Sequence, residues 1–310
     1  MATPKTRWPN GAKAAISFTM DNLGEAQDVY RGVWPANEPV GRHFSVTQNL
    51  PRMLGLLDRY RVRATYFAES WSLAVYPSAV DELLRRGHEV AWHGYQHEVW
   101  SSLSADAEAE NLRKSLAAVA DFNASRRSGA DSGDGSGGTV QYRGFRPPGG
   151  DVNEGTYDLL VRNDFTYASP LGTRTRIERG LVVLPFEWRC VDAFYYMDKF
   201  AGIRKSIFAA EAAAAGRDEK NPRAQQDGVG ADAVLPPASF RDYLLANIDE
   251  TIAVGGYLSI LFHPFLQTSE EKLAVLEEVL RRLGSDQDIW CAPCQEVAHW
   301  VRENADQFEP

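Results

Sequence analysis

The sequence has few cysteines, no long apolar run and no excess of positive charge. Three cysteines in 310 residues are too few for a disulfide framework. Because no stretch of eighteen apolar residues occurs, we expect no transmembrane helix. The formal net charge of −9 repels nucleic-acid phosphates and anionic lipid headgroups. Neither nucleic acid nor a membrane is therefore an expected partner.

The composition is that of a globular protein, with 44% hydrophobic residues. We expect one domain over residues 1–310, because α/β barrels of this length commonly form a single core. Segments 124–138 and 215–237 are rich in Ala, Gly, Ser and charged residues, and we expect mobile loops there. The basic residues near the start are not followed by the apolar region of a signal peptide, so we expect a cytoplasmic protein.

Short apolar segments alternate with amphipathic segments along the chain. Segments 14–19, 62–67, 87–92, 140–145, 165–168, 181–184, 257–262 and 288–291 have the character of buried strands. Between them, apolar residues recur every three or four positions, as in helices. This alternation predicts a parallel sheet with right-handed crossovers, either open or closed into a barrel.

Two histidines directly follow the third predicted strand. On a helical turn, the four-residue spacing of His93 and His97 would place both rings on one face, close enough to bind one metal ion. The same spacing also occurs in helix-end pairs and in buried core pairs. A metal site therefore requires a third ligand from elsewhere in the chain.

Other polar residues also stand where predicted strands end. Asp21, Arg146 and His263 each follow an apolar strand, as His93 does. In a barrel, the carboxyl ends of the strands meet on one face, where α/β enzymes place their active sites. The sequence therefore predicts that these side chains converge.

The motifs, in their order along the chain, resemble those of a known enzyme family. They are Thr19-Met20-Asp21-Asn22, His93-Gly94-Tyr95-Gln96-His97, Arg146-Pro147-Pro148-Gly149, Trp188 with Asp192, and Leu261-Phe262-His263-Pro264. This order resembles the NodB-type polysaccharide deacetylases of carbohydrate esterase family 4. The branch without signal peptides, which includes peptidoglycan deacetylases, allantoinase-like enzymes and cyclic imidases, is the most similar. The resemblance implies a distorted (β/α) barrel of about seven strands.

The resemblance also implies roles for individual residues. Asp21, His93 and His97 would bind one divalent ion, either zinc or, as alternatives, cobalt, nickel or manganese. His263 would protonate the leaving nitrogen, and Asp192 would orient it. Arg146 would pair with the carboxylate of the first motif, and the substrate would contact a further set of residues: Pro148, Gly149, Trp188 and Tyr95.

The first motif departs from the family pattern, which has two adjacent aspartates, a base and a metal ligand. Here the pair is Asp21-Asn22. In one alignment Asp21 is the base and Asn22 the alternative ligand, through a neutral carbonyl. In the other, Asp21 is the ligand and the base lies elsewhere, with Glu25 and Asp151 as candidates. A divalent ion prefers a carboxylate, which favours the second alignment.

The implied activity is metal-dependent hydrolysis of a non-peptide C–N amide bond. We expect deacetylation of an N-acetylated amino sugar, with a small molecule or an oligosaccharide as substrate. One alternative is hydrolysis of a cyclic amide or imide, as in allantoinases and cyclic imidases. A second alternative is a non-catalytic, sugar-binding protein. Whether the chain forms a homo-oligomer is left open.

Overall fold

A curled, mostly parallel sheet organises the chain. The computed structural model describes residues 7–129, 138–214 and 233–308. The strands are β1 (Ala14–Asp21), β2 (Thr65–Ala68), β3 (Glu89–Trp92), β4 (Gly144–Phe145), β5 (Tyr167–Ala168), β6 (Arg176–Glu178), β7 (Leu181–Val183), β8 (Tyr257–Phe262) and β9 (Ile289–Cys291). The helices are α1 (Ala26–Tyr30), α2 (Leu50–Tyr60), α3 (Ser72–Val75), α4 (Pro77–Arg85), α5 (Ala105–Gly129), α6 (Thr156–Arg162), α7 (Asp192–Tyr196), α8 (Ala201–Ala214), α9 (Pro237–Val254), α10 (Glu270–Ser285) and α11 (Cys294–Glu303).

The strand order is β6-β7-β5-β4-β3-β2-β1-β8, and β9 also pairs with β1. All strand pairs are parallel except the β6–β7 hairpin. A single parallel bridge between Val191 and Leu261 brings the chain that follows β7 against β8. The strands from β7 to β8 thus form a curled parallel sheet of seven strands, with β9 as an eighth parallel strand beside β1, and the bridge brings the two ends of the sheet towards each other. The predicted distorted barrel is confirmed.

The central strand β1 is buried along its whole length. Such a strand reads as a continuous apolar run because both of its faces are covered. Its two hydroxyl side chains remain hydrogen-bonded, since Ser17 Oγ donates to the Ala292 carbonyl and Thr19 Oγ1 to the Ile260 carbonyl, each at 2.9 Å. Strand β1 can therefore carry polar groups through the core without leaving them unpaired.

The prediction of a loop over 124–138 is wrong for residues 124–129, which continue α5. The remainder of that predicted loop, residues 130–137, lies outside the described residues, as does 215–232 of the second predicted loop. Strand β7 was predicted as part of segment 181–184, but its hairpin partner β6 was not, because Arg176–Glu178 is a short strand with two charged residues. None of the helices in the described ranges combines the length and apolar character that a bilayer crossing requires.

A buried carboxyl group lies at the amino end of the parallel strands. Glu89, the first residue of β3, accepts hydrogen bonds from Thr65 Oγ1 at 2.7 Å, Tyr167 Oη at 2.8 Å and the Gln295 amide at 3.0 Å. All of these donors are neutral. Burial raises the pKa of Glu89 to about 7, so the fold favours its protonated form.

We expect Glu89→Gln to stabilise the protein at pH 8 and to have less effect at pH 5. Because the pKa of Glu89 is about 7 in the fold and near the ordinary 4.5 when unfolded, wild-type stability falls as pH rises through that window. The glutamine oxygen can accept from Thr65 and from the Gln295 amide, its NH2 group can donate to Tyr167 Oη, and it has no charge to bury. Urea unfolding should show a gain of roughly 1–3 kcal/mol at pH 8 relative to pH 5. An equal effect at both pH values would contradict this account.

Candidate active site

The predicted site residues lie at the carboxyl ends of the parallel strands. Asp21 ends β1, His93 follows β3, Arg146 follows β4 and His263 follows β8. Each strand is in register with its neighbour, which places the exits of β1, β2, β3 and β4 side by side. Asp192 begins α7, beside the end of β8. The structure thus brings these five residues together.

A cavity of about 360 Å³ opens between these strand ends. Polar groups line one part of it, namely Asp21, Asn22, His93, His97 and His263. Apolar side chains line another part, among them Phe186, Trp188, Met197, Phe200 and Phe265. Pro148 and Gly149 also border the cavity, as predicted for substrate contacts, but Tyr95 is not among the described residues that line it.

A buried ion pair between Arg146 and Asp21 lies beneath the cavity. Arg146 Nη1 donates to Asp21 Oδ1 at 2.9 Å, and the Arg146 side chain is 0% exposed. The guanidinium also donates to the hydroxyls of Thr19, Ser169 and Ser259 and stacks on the rings of Phe67 and Phe186. These contacts satisfy the buried charge of Arg146 from several strands at once.

The two histidines converge through a turn, so the expectation of a helical turn is wrong. Gly94 and His97 have positive φ values of 77° and 63°, and these left-handed residues reverse the chain. The ring centroids lie 4.9 Å apart. His93 Nδ1 donates to the Arg146 carbonyl at 2.8 Å, which leaves its Nε2 unprotonated. The side-chain amide of Gln27 pairs with His97 Nδ1 at 2.6 Å.

Burial keeps both imidazoles neutral. It lowers the pKa of His93 to about 3 and holds the pKa of His97 well below its ordinary value. A neutral imidazole offers a lone pair to a metal, and a backbone carbonyl on the other ring nitrogen is a usual partner of a ligating histidine. The donor chemistry of His93 therefore fits a divalent ion. His97 fits it with the Gln27 amide oxygen accepting from Nδ1, which leaves Nε2 for the ion.

Glu69 joins the histidines, although no sequence motif singled it out. It directly follows β2 and is 1% exposed. Its carboxylate and one ring nitrogen each of His93 and His97 all lie within 4.8 Å of one another. Burial raises the pKa of Glu69 to about 7. The sequence offered one indication that Glu69 belongs to the site: it directly follows the strand β2, in the same way that Asp21 ends β1.

Asp21 and Asn22 have different surroundings. Asp21 Oδ2 lies 3.8 Å from His93 Nε2, while its other oxygen is held by Arg146. Asn22 Nδ2 donates to Glu69 Oε1 at 2.8 Å. Metal ligation by Asp21, with Asn22 as the alternative, stays a prediction.

Asp192 holds the His263 ring in one orientation. His263 Nδ1 donates to Asp192 Oδ1 at 2.6 Å, and the His263 backbone amide donates to Oδ2 at 2.8 Å. Gln267 Nε2 donates to Oδ2 at 2.7 Å. Because Nδ1 carries the hydrogen in this contact, Nε2 of His263 is the ring nitrogen that can exchange a proton in the cavity.

The other two candidate bases lie away from the cavity. Glu25 is buried, where it accepts hydrogen bonds from Tyr76 Oη and, at 2.6 Å, from the Gly41 amide. Asp151 is exposed. Neither residue is among those that line the cavity, so the structure gives no support to either as the base.

Comparison with known proteins places this chain among relatives of deacetylases. Residues 38–168 match the family model described as polysaccharide deacetylase. The resemblance to these deacetylases that the motifs indicated is thereby confirmed. A peptidoglycan deacetylase of Helicobacter pylori is 26% identical over 124 residues, which are 40% of this chain and 37% of that protein. The match thus spans little more than a third of the relative's length.

Several solved structures share the deacetylase-like fold. A Mycobacterium smegmatis protein assigned to the polysaccharide deacetylases has a TM-score of 0.74 at 23% identity, covering 98% of this chain and 94% of its own. Puue allantoinase has a TM-score of 0.69 at 16% identity, covering 97% and 95%. A Pseudomonas aeruginosa PAO1 protein, also assigned to the polysaccharide deacetylases, has a TM-score of 0.68 at 18% identity, covering 97% of this chain and 96% of its own. At these identities the likeness shows the fold.

We expect Arg146→Met to destabilise the protein strongly, because it leaves the Asp21 carboxylate buried without its cation. Breaking one partner of a buried pair costs about 3–5 kcal/mol. Urea unfolding measures this loss. The control is Arg113→Met, which removes an exposed pair with Glu110 and should change stability far less. If both variants lost the same free energy of unfolding, the buried pair would contribute no more to stability than the exposed one.

Proposed function

We propose that this chain is a metal-dependent hydrolase that cleaves a non-peptide C–N amide bond, with removal of an acetyl group from an N-acetylated amino sugar as its reaction. The observation that carries the proposal is the placement of His263, backed by Asp192, in one cavity with His93 and His97. A proton donor and a candidate metal site thus share a space of substrate size.

His263 supports the proposal because amide cleavage needs a proton donor. The departing nitrogen is a poor leaving group until it is protonated. The hydrogen bond from His263 Nδ1 to Asp192 fixes the orientation of the ring and leaves Nε2 to deliver the proton. Gln267 and the His263 amide hold Asp192 in place, so the ring orientation is preset before a substrate binds.

His93 and His97, together with a carboxylate, would hold the divalent ion. When bound, such an ion polarises the substrate carbonyl and acidifies a water molecule. Two carboxylates, Asp21 and Glu69, border the histidine pair. One of them is therefore available as a metal ligand, and the other is available to accept a proton from the attacking water.

The cavity suits one sugar unit or one small ring. Its volume of about 360 Å³ lies near the lower end of small-molecule pockets. Aromatic residues such as Trp188 and Phe200 offer flat apolar contacts to the face of a ring. A polymer would have to present a terminal unit to this space.

A cyclic amide or imide is the second candidate substrate, and the cavity rim favours it. Two cations, Arg31 and Lys199, border the cavity beside the apolar side chains. Ring opening of an imide leaves a carboxylate on the product, which these cations would attract. Deacetylation of a neutral sugar instead leaves an amine on the larger product and releases acetate.

We expect His263→Ala to lower kcat by about 10²–10⁴-fold, the usual range for loss of a general acid or base. Asp192→Asn should lower kcat less and shift its pH profile, because the ring remains but loses its charged partner. Steady-state kinetics on the preferred substrate measures both effects. The control is His299→Ala, which removes an exposed histidine paired with Glu303 and should leave kcat unchanged.

Removal of metal should abolish turnover, and a divalent ion added back should restore it. We expect this because the proposed reaction needs an ion to polarise the carbonyl and to acidify the water, and His93 and His97 are the residues that would hold it. The assay uses N-acetylated sugars, hydantoin-like imides and allantoin, before and after chelation. Turnover that survives complete metal removal would contradict the proposal. Sugar binding without any turnover would instead indicate a non-catalytic protein.

A further inference from the structure

We propose that Glu69 is the carboxylate ligand of the metal site, with His93 and His97, and that Asn22 positions it. The inference rests on the proposed function in one respect, namely that the histidine pair binds a divalent ion. The third ligand is then Glu69, which follows β2, and not Asp21 or Asn22 of the first motif. The observations that carry it are the geometry, the backbone anchoring and the charge balance around Glu69.

The geometry places Glu69 next to the histidines. Ala68 and Trp92 are in register across β2 and β3, so the residues that follow them, Glu69 and His93, leave the sheet side by side. The Glu69 carboxylate and the ring nitrogens of His93 and His97 lie within 4.8 Å of one another. Two imidazoles and one glutamate are a known ligand set of catalytic zinc, which keeps a position open for water or substrate.

The backbone keeps this arrangement rigid. The amide of Ser70 donates to the Gly94 carbonyl at 3.1 Å, and the amide of Trp71 donates to the Tyr95 carbonyl at 3.0 Å. The chain that leaves β2 is therefore bonded directly to the turn that carries both histidines. Glu69 and the histidine pair thus form one preorganised unit, as a metal site requires.

The charge balance distinguishes the two carboxylates. Asp21 has a cation, since Arg146 Nη1 lies 2.9 Å from its Oδ1. Glu69 is equally buried, yet its carboxylate accepts hydrogen bonds from two neutral donors, Asn22 Nδ2 and the Leu23 amide, each at 2.8 Å. Within the described ranges, no arginine or lysine forms an ion pair with Glu69. A buried carboxyl group without a cation is protonated, as at Glu89, unless a counter-charge is added. Glu69 differs from Glu89 in lying beside His93 and His97, where a divalent ion would supply that charge.

Asn22 has the contacts of a positioning residue. Its φ of 65° is left-handed, a conformation that asparagine tolerates better than most residues. This backbone conformation accompanies the Asn22 Nδ2 contact to Glu69 Oε1 and the Leu23 amide contact to Oε2. Each carboxylate oxygen thus has one fixed donor and retains lone pairs for a metal. With an aspartate at position 22, the same approach would set two negative charges against each other.

The test measures Zn²⁺ binding to the metal-free full chain by calorimetry, and Co²⁺ binding by its visible spectrum. Loss of an outer partner of a metal ligand weakens affinity by about 10–100-fold, so loss of a ligand should cost more. We therefore expect Glu69→Gln to weaken Zn²⁺ binding by more than about 100-fold and to change the Co²⁺ spectrum. Asn22→Ala should weaken binding by about 10-fold or more.

Two further variants provide the comparison. Glu89→Gln removes another buried carboxyl group, at the opposite end of β3, and should bind Zn²⁺ like wild type. Asp21→Asn should keep Zn²⁺ affinity within about 10-fold while it loses turnover, which separates the two carboxylates. Wild-type affinity in Glu69→Gln, together with lost affinity in Asp21→Asn, would overturn the inference.

The outcomes also separate this inference from the proposed function. If wild type and His93→Ala bind Zn²⁺ equally weakly, the metal-dependent hydrolase itself fails. If wild type binds tightly and Glu69→Gln matches it, the assignment of Glu69 alone fails. Metal-free Glu69→Gln should melt no lower than metal-free wild type, because it removes an unbalanced charge, and it should lose the rise in Tm that Zn²⁺ produces. If Glu69→Gln does not fold, Glu69→Ala replaces it, and unchanged Zn²⁺ affinity there would equally overturn the assignment.

Discussion

The ion pair between Arg146 and Asp21 is the interaction on which the site depends. The guanidinium is out of contact with solvent and is shared among β1, β8 and the chain that follows β5, through hydroxyls on Thr19, Ser259 and Ser169. A buried charge is tolerated only when its partners hold it closely, so these strand ends have little freedom to separate. The Arg146 carbonyl also fixes the His93 ring. One residue thus sets both the charge and the geometry of the cavity floor.

Parallel strands explain how carboxylates from different parts of the sequence can serve the same site. Neighbouring strands lie only about 4.8 Å apart, and residues just beyond their ends point into the same space. Asp21 ends β1 and Glu69 follows β2, so both reach the histidines. A carboxylate that is absent from one strand end can therefore be supplied by the next. His263, the proposed proton donor, lies beside Asp192, because β8 is on the other side of β1 from β2 and β3.

Much of the fold was predictable, because its strands are short apolar runs and its helices have regular apolar spacing. Strand β8 was predicted with its observed limits, and β1 within two residues. Strand β6 was missed, since its three residues include two charged side chains and form no apolar run. In the site, strand exits indicated Asp21, His93, Arg146 and His263. Glu69 was missed because one glutamate after a strand resembles any surface residue in sequence.

The sequence by itself determined the alternation of strands and helices and the order of the motifs, because both depend on local residue patterns. The tertiary structure decided which carboxylates face the histidines, and that His97 reaches His93 through left-handed residues and not along a helix. It also decided that Arg146 pairs with Asp21, whereas none of the described arginines or lysines forms an ion pair with Glu69. These are distances between residues far apart in the chain, and they exist only after the strands have paired in register.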